Sequence, residues 1–213
     1  MKKIGIVGSG EVAKALAKGL IRHNYQVMIG TGNKSKYEQL HKETGASTGT
    51  FAESAVFGEI VVLAVKGTAA EKVISSIADK LSDKTVIDTT NPLADKPPVN
   101  GVLHYFTSLE ESLMERLQMA APGANLVKAF NSIGNVFMID PGFKIKPSMF
   151  ICGNNTASKK EVASLLEEVG WEVEDLGGVE SARAIEPLCM LWCIPGFLEN
   201  NWAHGFKFLK FPA

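Results

Sequence analysis

A glycine-rich turn close to the start of the chain carries the clearest chemical signal in the sequence. Residues 8–13 read Gly-Ser-Gly-Glu-Val-Ala and fit the pattern Gly-x-Gly-x-x-Ala, between a short apolar run and a helical pattern. In such a turn the first glycine makes the bend, the second lets the backbone approach a pyrophosphate, and the alanine permits close helix–strand packing. The following helix would direct its free N–H groups at the phosphates. The turn therefore predicts a bound dinucleotide, or else a tight turn in some other α/β protein. The pattern itself predicts contacts at Gly8 and Gly10 and at the start of the helix that begins at Glu11.

The loop after the second predicted strand indicates which dinucleotide to expect. NAD is normally held through its ribose hydroxyls by an Asp or Glu about 20 residues after the glycine turn. Here residues 31–36 read Thr-Gly-Asn-Lys-Ser-Lys, without a carboxylate. Thr31 and Asn33 can donate hydrogen bonds to a 2′-phosphate, and Lys34 or Lys36 can supply positive charge. The loop favours NADP over NAD, and a polar surface loop with ordinary lysines is the alternative.

Few other residues have the types and spacing that chemistry would require. Hydride transfer between two rings needs mainly close positioning and exclusion of water, so we predict no catalytic side chain. Asn131 is a candidate to orient a nicotinamide carboxamide, or else an N-cap. Lys66 is a candidate proton donor to a carbonyl or imine, or else a solvated lysine near the cofactor phosphates. Cys189 and Cys193 lack the further ligands of a zinc site, so no metal is predicted.

Strands and helices alternate along nearly the whole chain, which predicts an α/β fold with a Rossmann-type, doubly wound parallel sheet. The predicted strands are 3–7, 26–30, 59–65, 85–88, 125–130, 148–152 and 172–175. The predicted helices are 11–23, 35–43, 53–57, 69–81, 108–119 and 157–169. The helix over 108–119 is expected to begin with a capping box formed by Ser108 and Glu111. A boundary near Gly178 would separate a domain of residues 1–178 from a mostly helical C-terminal lobe of residues 179–213.

Composition excludes several classes of partner. The 213 residues carry a net charge of −1, which argues against nucleic acid or an acidic membrane as a partner. The apolar run over residues 188–198 contains a proline and is far shorter than the roughly 20 residues that a spanning helix needs. No signal-peptide pattern is visible, and three cysteines do not suggest a disulfide framework. We therefore expect a cytoplasmic protein.

Several segments together resemble the F420-dependent NADP oxidoreductase family. They are VGSGEVAKALAKGL, VMIGTGNKSK, DTTNP, LVKAFNSIG, FICGNN and HGFKFLK, in this order along nearly the whole chain. All but the last are also similar to the cytoplasmic reductase domain of the STEAP metalloreductases. The resemblance implies a Rossmann-type NADP domain, direct hydride transfer between nicotinamide and a flavin-like ring, and a homodimer.

The resemblance also implies individual site residues. Ser9, Gly10, Glu11 and Val12 match the phosphate turn of the family. Thr31 matches a serine that touches the 2′-phosphate, whereas Gly32 stands where the family usually has arginine. Lys34 or Lys36 would compensate for that arginine. The further implied contacts, around the ribose, beneath the cofactor and around the nicotinamide, are Ala64, Val65, Asn91, Pro92, Ala129, Phe130, Asn131 and Ile133.

We interpret the chain as an NADPH-dependent oxidoreductase whose acceptor is F420 or a flavin such as FMN or FAD. The apolar segment over residues 186–197 would line the acceptor pocket, form a dimer interface or belong to the core. Two other functions fit the same motifs. One is a small NADP-dependent reductase of imines or hydroxy acids, and the other is a redox sensor that binds NADP without turnover.

Overall fold

The computed structural model describes residues 1–211, so the last two residues of the predicted C-terminal lobe, Pro212 and Ala213, lie outside the described residues. The strands are β1 Lys3–Val7, β2 Gln26–Gly30, β3 Ser47–Gly49, β4 Ile60–Leu63, β5 Thr85–Asp88, β6 Asn125–Lys128, β7 Ser148–Ile151 and β8 Glu172–Asp175. The helices are α1 Glu11–Arg22, α2 Tyr37–Thr44, α3 Phe51–Phe57, α4 Gly67–Ser75, α5 Leu113–Ala120, α6 Thr156–Glu168, α7 Ala182–Ile185 and α8 Pro187–Glu199. Short 3₁₀ helices lie at Lys34–Lys36, Ala78–Lys80, Asn135–Phe137 and Val179–Ser181.

Six parallel strands form the main sheet in the order β3-β2-β1-β4-β5-β6. The central strands β4 and β5 are buried along their whole length, as expected when helices cover both faces of a parallel sheet. The strand order reverses between β1 and β4, which leaves a crevice at the carboxyl ends of these strands. The predicted Rossmann-type, doubly wound sheet is confirmed.

The alternating pattern implied that the last two strands would extend this sheet, but they do not. β7 and β8 pair with each other in a separate two-stranded sheet. An isolated antiparallel bridge between Lys128 and Cys152 connects them to β6. The reason lies in the connection from β6 to β7, which contains a 3₁₀ turn but no α-helix. Parallel neighbours need a crossover, usually helical, so β7 arrives beside β6 in the opposite direction.

Helix α5 begins later than predicted. The Ser112 hydroxyl accepts a hydrogen bond from the Glu115 N–H, and the Glu115 carboxylate accepts one from the Ser112 N–H. This is the capping box, so the predicted box of Ser108 and Glu111 is wrong; those two residues form an isolated bridge. The segment contains two Ser-x-x-Glu patterns, and the second is used because it places the apolar residues of α5 in the core. Similarly, α4 covers Gly67–Ser75 rather than residues 69–81.

The C-terminal part is helical only as far as Glu199. Residues 200–211 form a strap without helix or strand that packs back onto the protein. The Ser148 N–H donates to the Phe206 carbonyl at 2.8 Å. The Trp192 indole N–H donates to the His204 carbonyl, and His204 Nε2 donates to the Trp192 carbonyl. The expectation of a mostly helical lobe is therefore wrong for the strap, while the division at Gly178 stays a prediction.

Candidate functional site

The glycine turn lies between β1 and α1, where the strand order of the sheet reverses. Gly8 has a φ of +135°, and a Cβ there would clash with the carbonyl oxygen of Ala64, so only glycine fits. Gly10 is the N-cap of α1, and a Cβ there would meet no atom of the described chain within 4 Å. Ala13 is fully buried, as close helix–strand packing requires. The space at Gly10 is therefore open and lies at the free N–H groups of the α1 terminus, where a pyrophosphate would bind.

A cavity of about 520 Å³ opens beside this turn, at the carboxyl ends of β4 and β5. Seven predicted residues line it: Gly10, Glu11, Val12, Ala64, Val65, Lys66 and Asn91. The sequence analysis missed the threonines at 89–90, the residues at 93–96 and the start of α4, which also line it. Thr89 and Thr90 stand in the DTTNP segment, and the other residues are signalled only by the buried strands that precede them. Ligands bind preferentially in such a crevice outside the carboxyl ends of the strands.

The loop over residues 31–36 follows β2, on the opposite side of β1 from the cavity. Thr31 is buried, and its hydroxyl oxygen accepts hydrogen bonds from Ser9 Oγ at 3.0 Å and from the Asn33 N–H at 3.2 Å. Both lone pairs of the hydroxyl are then used, so its own proton remains to be donated. Asn33 Oδ1 accepts from the Ser35 N–H and caps the 3₁₀ helix. The loop is thus held in one shape and tied to the glycine turn.

The charged and open positions of this loop face solvent. Gly32, Asn33, Lys34 and Lys36 are all exposed. A Cβ on Gly32 would contact only the Phe51 ring, at 3.7 Å, so this position is open toward solvent. Two ammonium groups beside a hydroxyl donor are suited to an added phosphate rather than to a ribose diol.

The predicted nicotinamide segment lies behind the cavity. Ala129, Phe130, Asn131 and Ile133 are buried, and none of them lines the cavity; Pro92 is buried as well. Phe130 has a φ of +62°, a conformation that costs a non-glycine residue about 1–3 kcal/mol and is concentrated at functional sites. Contact between this segment and a cofactor therefore stays a prediction.

Asn131 joins the predicted nicotinamide segment to two other parts of the chain. Its Nδ2 donates to Asn91 Oδ1 at 3.2 Å and to the Ile185 carbonyl at 2.9 Å. In return, Asn91 Nδ2 donates to the Asn131 carbonyl at 2.8 Å. Asn131 is thus not the N-cap that was the alternative, since Gly134 precedes the next 3₁₀ helix. Its Oδ1 is buried without a hydrogen-bond partner among residues 1–211, so it is free to accept from one further donor.

Sequence reasoning missed a buried ion cluster next to this pair. Lys128 Nζ lies 2.6 Å from Asp88 Oδ2 and 2.9 Å from Glu186 Oε1, and the three side chains are at most 2% exposed. In these two ion pairs the angles at the atoms do not meet the geometry of a hydrogen bond. The hydrogen bond that Lys128 does donate goes to the Thr90 carbonyl, at 2.9 Å. Burial acts to lower the pKa of Lys128, but the charges of Asp88 and Glu186 outweigh it and raise that pKa. Lys128 is therefore charged.

The chain matches known reductases in sequence. Residues 3–92 match the sequence profile of the family described as NADP oxidoreductase, coenzyme F420-dependent. The F420-dependent NADP reductase of Methanocaldococcus jannaschii is 26% identical over 211 residues, which cover 89% of this chain and 90% of that protein. Metalloreductase STEAP3 of Rattus norvegicus is 29% identical over 201 residues, which cover 92% of this chain. The chain spans only 39% of the length of that metalloreductase.

Solved structures agree with the sequence matches. A crystal structure of a candidate F420-dependent NADP reductase from Arthrobacter sp. FB24 superposes with a TM-score of 0.90. It is 29% identical, and the match covers 99% of this chain and 100% of that one. An imine reductase from Streptomyces aurantiacus, at 15% identity and a TM-score of 0.67, shares the fold. In the part of the chain that the structure describes, the helices are too short or too polar to cross a membrane. The chain is thus similar in sequence and in fold to the F420-dependent NADP oxidoreductases, as its motifs predicted.

Proposed function

We propose that this chain is an NADPH-dependent oxidoreductase that transfers a hydride between NADP(H) and a flavin or deazaflavin ring such as FMN, FAD or F420. The observation that carries the proposal is the open space at Gly10, which lies at the N-terminus of α1 and lines the cavity of about 520 Å³. The names of the relatives, F420-dependent NADP reductase and metalloreductase, support it. Both names describe reductases, and the first includes the cofactor that the loop after β2 favours.

The residues present fit an NADP-type cofactor that lies across the carboxyl ends of the strands, from the 31–36 loop past the glycine turn to the cavity. The N–H groups at the start of α1 would hold the pyrophosphate, and Thr31, Lys34 and Lys36 would hold the 2′-phosphate. The 31–36 loop lies on one side of β1, and the cavity lies on the other side. The nicotinamide half would therefore extend toward β4 and β5. The bound cofactor supplies the hydride chemistry itself.

The protein would contribute positioning and exclusion of water. Val12, Val65, Leu93 and Leu103 give the cavity apolar walls. A dry, shaped cavity that holds two rings close together is what hydride transfer needs. Lys66 is exposed at the cavity, where it is solvated, so the proposal assigns it no proton transfer.

The acceptor can be identified with purified protein, NADPH and a panel of F420, FMN, FAD and riboflavin. We expect NADPH oxidation with at least one of them, and Gly10→Val as the control should abolish it. Tight NADPH binding without reduction of any ring would favour the redox sensor instead. Reduction of a cyclic imine but of no ring would favour the imine-reductase alternative.

We also propose that the protein is a cytoplasmic homodimer. Helix α8 and the strap expose large apolar side chains, among them Leu191 at 54%, Leu198 at 60% and Trp202 at 38%. An apolar surface of this kind is typical of an interface. Light scattering should give twice the chain mass of 22.9 kDa, and a monomer would contradict the assembly proposal.

The proposed cytoplasmic location rests on the cysteines. All three are free thiols, which fits a reducing compartment.

A further inference from the structure

We infer that Glu186 is a positioning residue, which acts through Lys128 on the turn at residues 90–91 and so sets one wall of the cofactor cavity. This inference rests on the proposed function, because it assigns that wall to the nicotinamide half of the cofactor. Glu186 lies at the junction of α7 and α8, outside the glycine turn and outside the cavity.

A short chain of contacts leads from Glu186 to the cavity. Glu186 Oε1 lies 2.9 Å from Lys128 Nζ, and Lys128 Nζ donates to the Thr90 carbonyl at 2.9 Å. Thr90 lines the cavity, and so does Asn91. Each link is buried or nearly so, and it involves one specific atom on each side. The C-terminal segment therefore holds the peptide between Thr90 and Asn91 from behind.

Parallel contacts fix the same turn from other directions. Asp88 Oδ1 accepts hydrogen bonds from the Thr90 N–H at 2.9 Å and from the Thr90 hydroxyl at 2.7 Å. Asn131 bonds both to Asn91 and to the carbonyl of Ile185, the residue before Glu186. The turn after β5 is thus clamped between β6 and the α7–α8 junction.

Glu186 is held in place through both oxygens of its carboxyl group. Lys128 faces the carboxyl groups of both Asp88 and Glu186 in the interior. The Glu186 carboxyl oxygens also accept hydrogen bonds at the N-terminus of α5, from the Leu113 and Met114 N–H groups, both at 3.0 Å. A glutamine cannot replace both carboxylate oxygens as acceptors, since its NH₂ group only donates.

The ion cluster lies next to the region proposed for the nicotinamide half of the cofactor and apart from the segments proposed to bind the adenosine half. The 2′-phosphate loop and the glycine turn adjoin β1, β2 and α1, and no side-chain hydrogen bond or ion pair of Asp88, Lys128 or Glu186 reaches either segment. Loosening the turn at 90–91 would therefore disturb the nicotinamide half and leave the adenosine bisphosphate half in place. A misplacement of about 1 Å in a hydride-transfer site can cost as much as roughly 100-fold in rate.

The test compares Glu186→Gln with Glu115→Gln. Glu115 also ties α5 to the C-terminal segment, through Arg183, but it touches no residue of the 90–91 turn. Its glutamine variant can keep the capping box with Ser112. For each folded variant we would measure the dissociation constant of 2′,5′-ADP, which reports the adenosine half alone. We would also measure kcat for NADPH oxidation with the ring of the F420, FMN, FAD and riboflavin panel that the wild type reduces. The fluorescence of bound NADPH reports the nicotinamide environment.

We expect Glu186→Gln to bind 2′,5′-ADP within about twofold of wild type and to lose roughly tenfold or more in kcat, while Glu115→Gln changes neither. An unchanged kcat in Glu186→Gln overturns the inference, and so does a proportional loss of 2′,5′-ADP binding and kcat, which a merely structural role would give. If wild type binds NADPH but reduces none of F420, FMN, FAD and riboflavin, the acceptor proposal fails, and the inference is decided by NADPH fluorescence. If the fluorescence enhancement of bound NADPH is lost only in Glu186→Gln, the inference is supported. If wild type and both variants show equal enhancement, it is overturned. Wild type that binds neither nucleotide overturns both proposals.

Discussion

Asn91 and Asn131 hydrogen-bond to each other twice, through the Asn91 amide N–H₂ to the Asn131 carbonyl and the Asn131 amide N–H₂ to the Asn91 side-chain oxygen. The pair joins the loops that follow β5 and β6, two neighbouring strands of the sheet. Because a further bond runs from Asn131 to the Ile185 carbonyl, one buried side chain holds three separate segments. This arrangement fixes the floor of the proposed nicotinamide region.

Replacing Asn131 by alanine should destabilise the protein. The change leaves two acceptors, Asn91 Oδ1 and the Ile185 carbonyl, without their donor, and an unsatisfied buried group costs about 1–3 kcal/mol. Urea denaturation would measure the loss in the free energy of unfolding. The exposed Asn201 is the matched control, and Asn201→Ala should stay within about 0.5 kcal/mol of wild type. Equal stability of the two variants would contradict the role of Asn131.

Replacing Gly10 by valine should abolish cofactor binding without unfolding the protein. Gly10 has an extended conformation, with φ −83°, and a side chain there would enter open space among the described residues. We expect the midpoint of thermal unfolding to be unchanged and the affinity for NADPH to fall by at least tenfold, or roughly 1.4 kcal/mol. Isothermal titration calorimetry would measure the affinity.

Gly8→Ala is the informative contrast to that variant. Because Gly8 has a positive φ and its Cβ would clash with the Ala64 carbonyl, this smaller change should lower the thermal midpoint. A Gly10→Val protein that keeps wild-type affinity for NADPH would show that the pyrophosphate does not bind at the turn.

Removing Lys34 and Lys36 should weaken NADPH binding more than NADH binding. The double alanine variant should lose roughly fivefold or more in NADPH affinity, since each exposed charge contact contributes up to ~1 kcal/mol. NADH lacks the 2′-phosphate, so its affinity should hardly change. Lys42 is exposed on the neighbouring helix α2, and Lys42→Ala controls for loss of general positive charge. Equal weakening of both nucleotides would mean that the loop does not select the phosphate.

The ion pair of Glu115 and Arg183 should contribute to stability above a defined pH. The hydrogen bond from Arg183 is the main cause that lowers the pKa of Glu115 from 4.5 to about 2. Since the folded pKa lies below the unfolded one, the stabilisation is fully present above pH 4.5 and is lost as the pH falls through about 2.

The variant Glu115→Gln tests this pH dependence. At pH 7 it should be less stable than wild type by about 1 kcal/mol or less, and the difference should vanish toward pH 2. Denaturation curves across this range would show it. A difference that stays constant between pH 7 and pH 2 would contradict the assignment.

The Rossmann-type sheet and the glycine turn after β1 could be predicted from the sequence because both depend on local patterns, while the binding of phosphate at that turn stays a prediction. The buried strands are short apolar runs, and Gly8, Gly10 and Ala13 have their roles within one turn of chain. The three residues of β3 were missed because they are Ser-Thr-Gly, without an apolar pattern. They pair with β2, and Ser47 Oγ donates to the Val27 carbonyl. Tertiary contacts, not propensity, make this strand.

The nicotinamide side depends on contacts between distant residues, which a single sequence does not show. Asp88 and Lys128 are charged residues at the ends of adjacent apolar strands, a signal that they pair. Glu186 gave no such signal, since its partners come from β6 and from the start of α5. The start of α5 was misplaced for a related reason. Two equal Ser-x-x-Glu patterns are available, and burial of the following residues decides between them.

The central claim is that the glycine turn and the loop after β2 bind NADPH in preference to NADH. The most direct test is a pair of calorimetric titrations of the wild-type protein, one with each nucleotide, at the same ionic strength. We predict that NADPH binds with a dissociation constant at least about tenfold lower than that of NADH, a difference of roughly 1.4 kcal/mol. Equal affinities, tighter binding of NADH, or no binding of NADPH would contradict it.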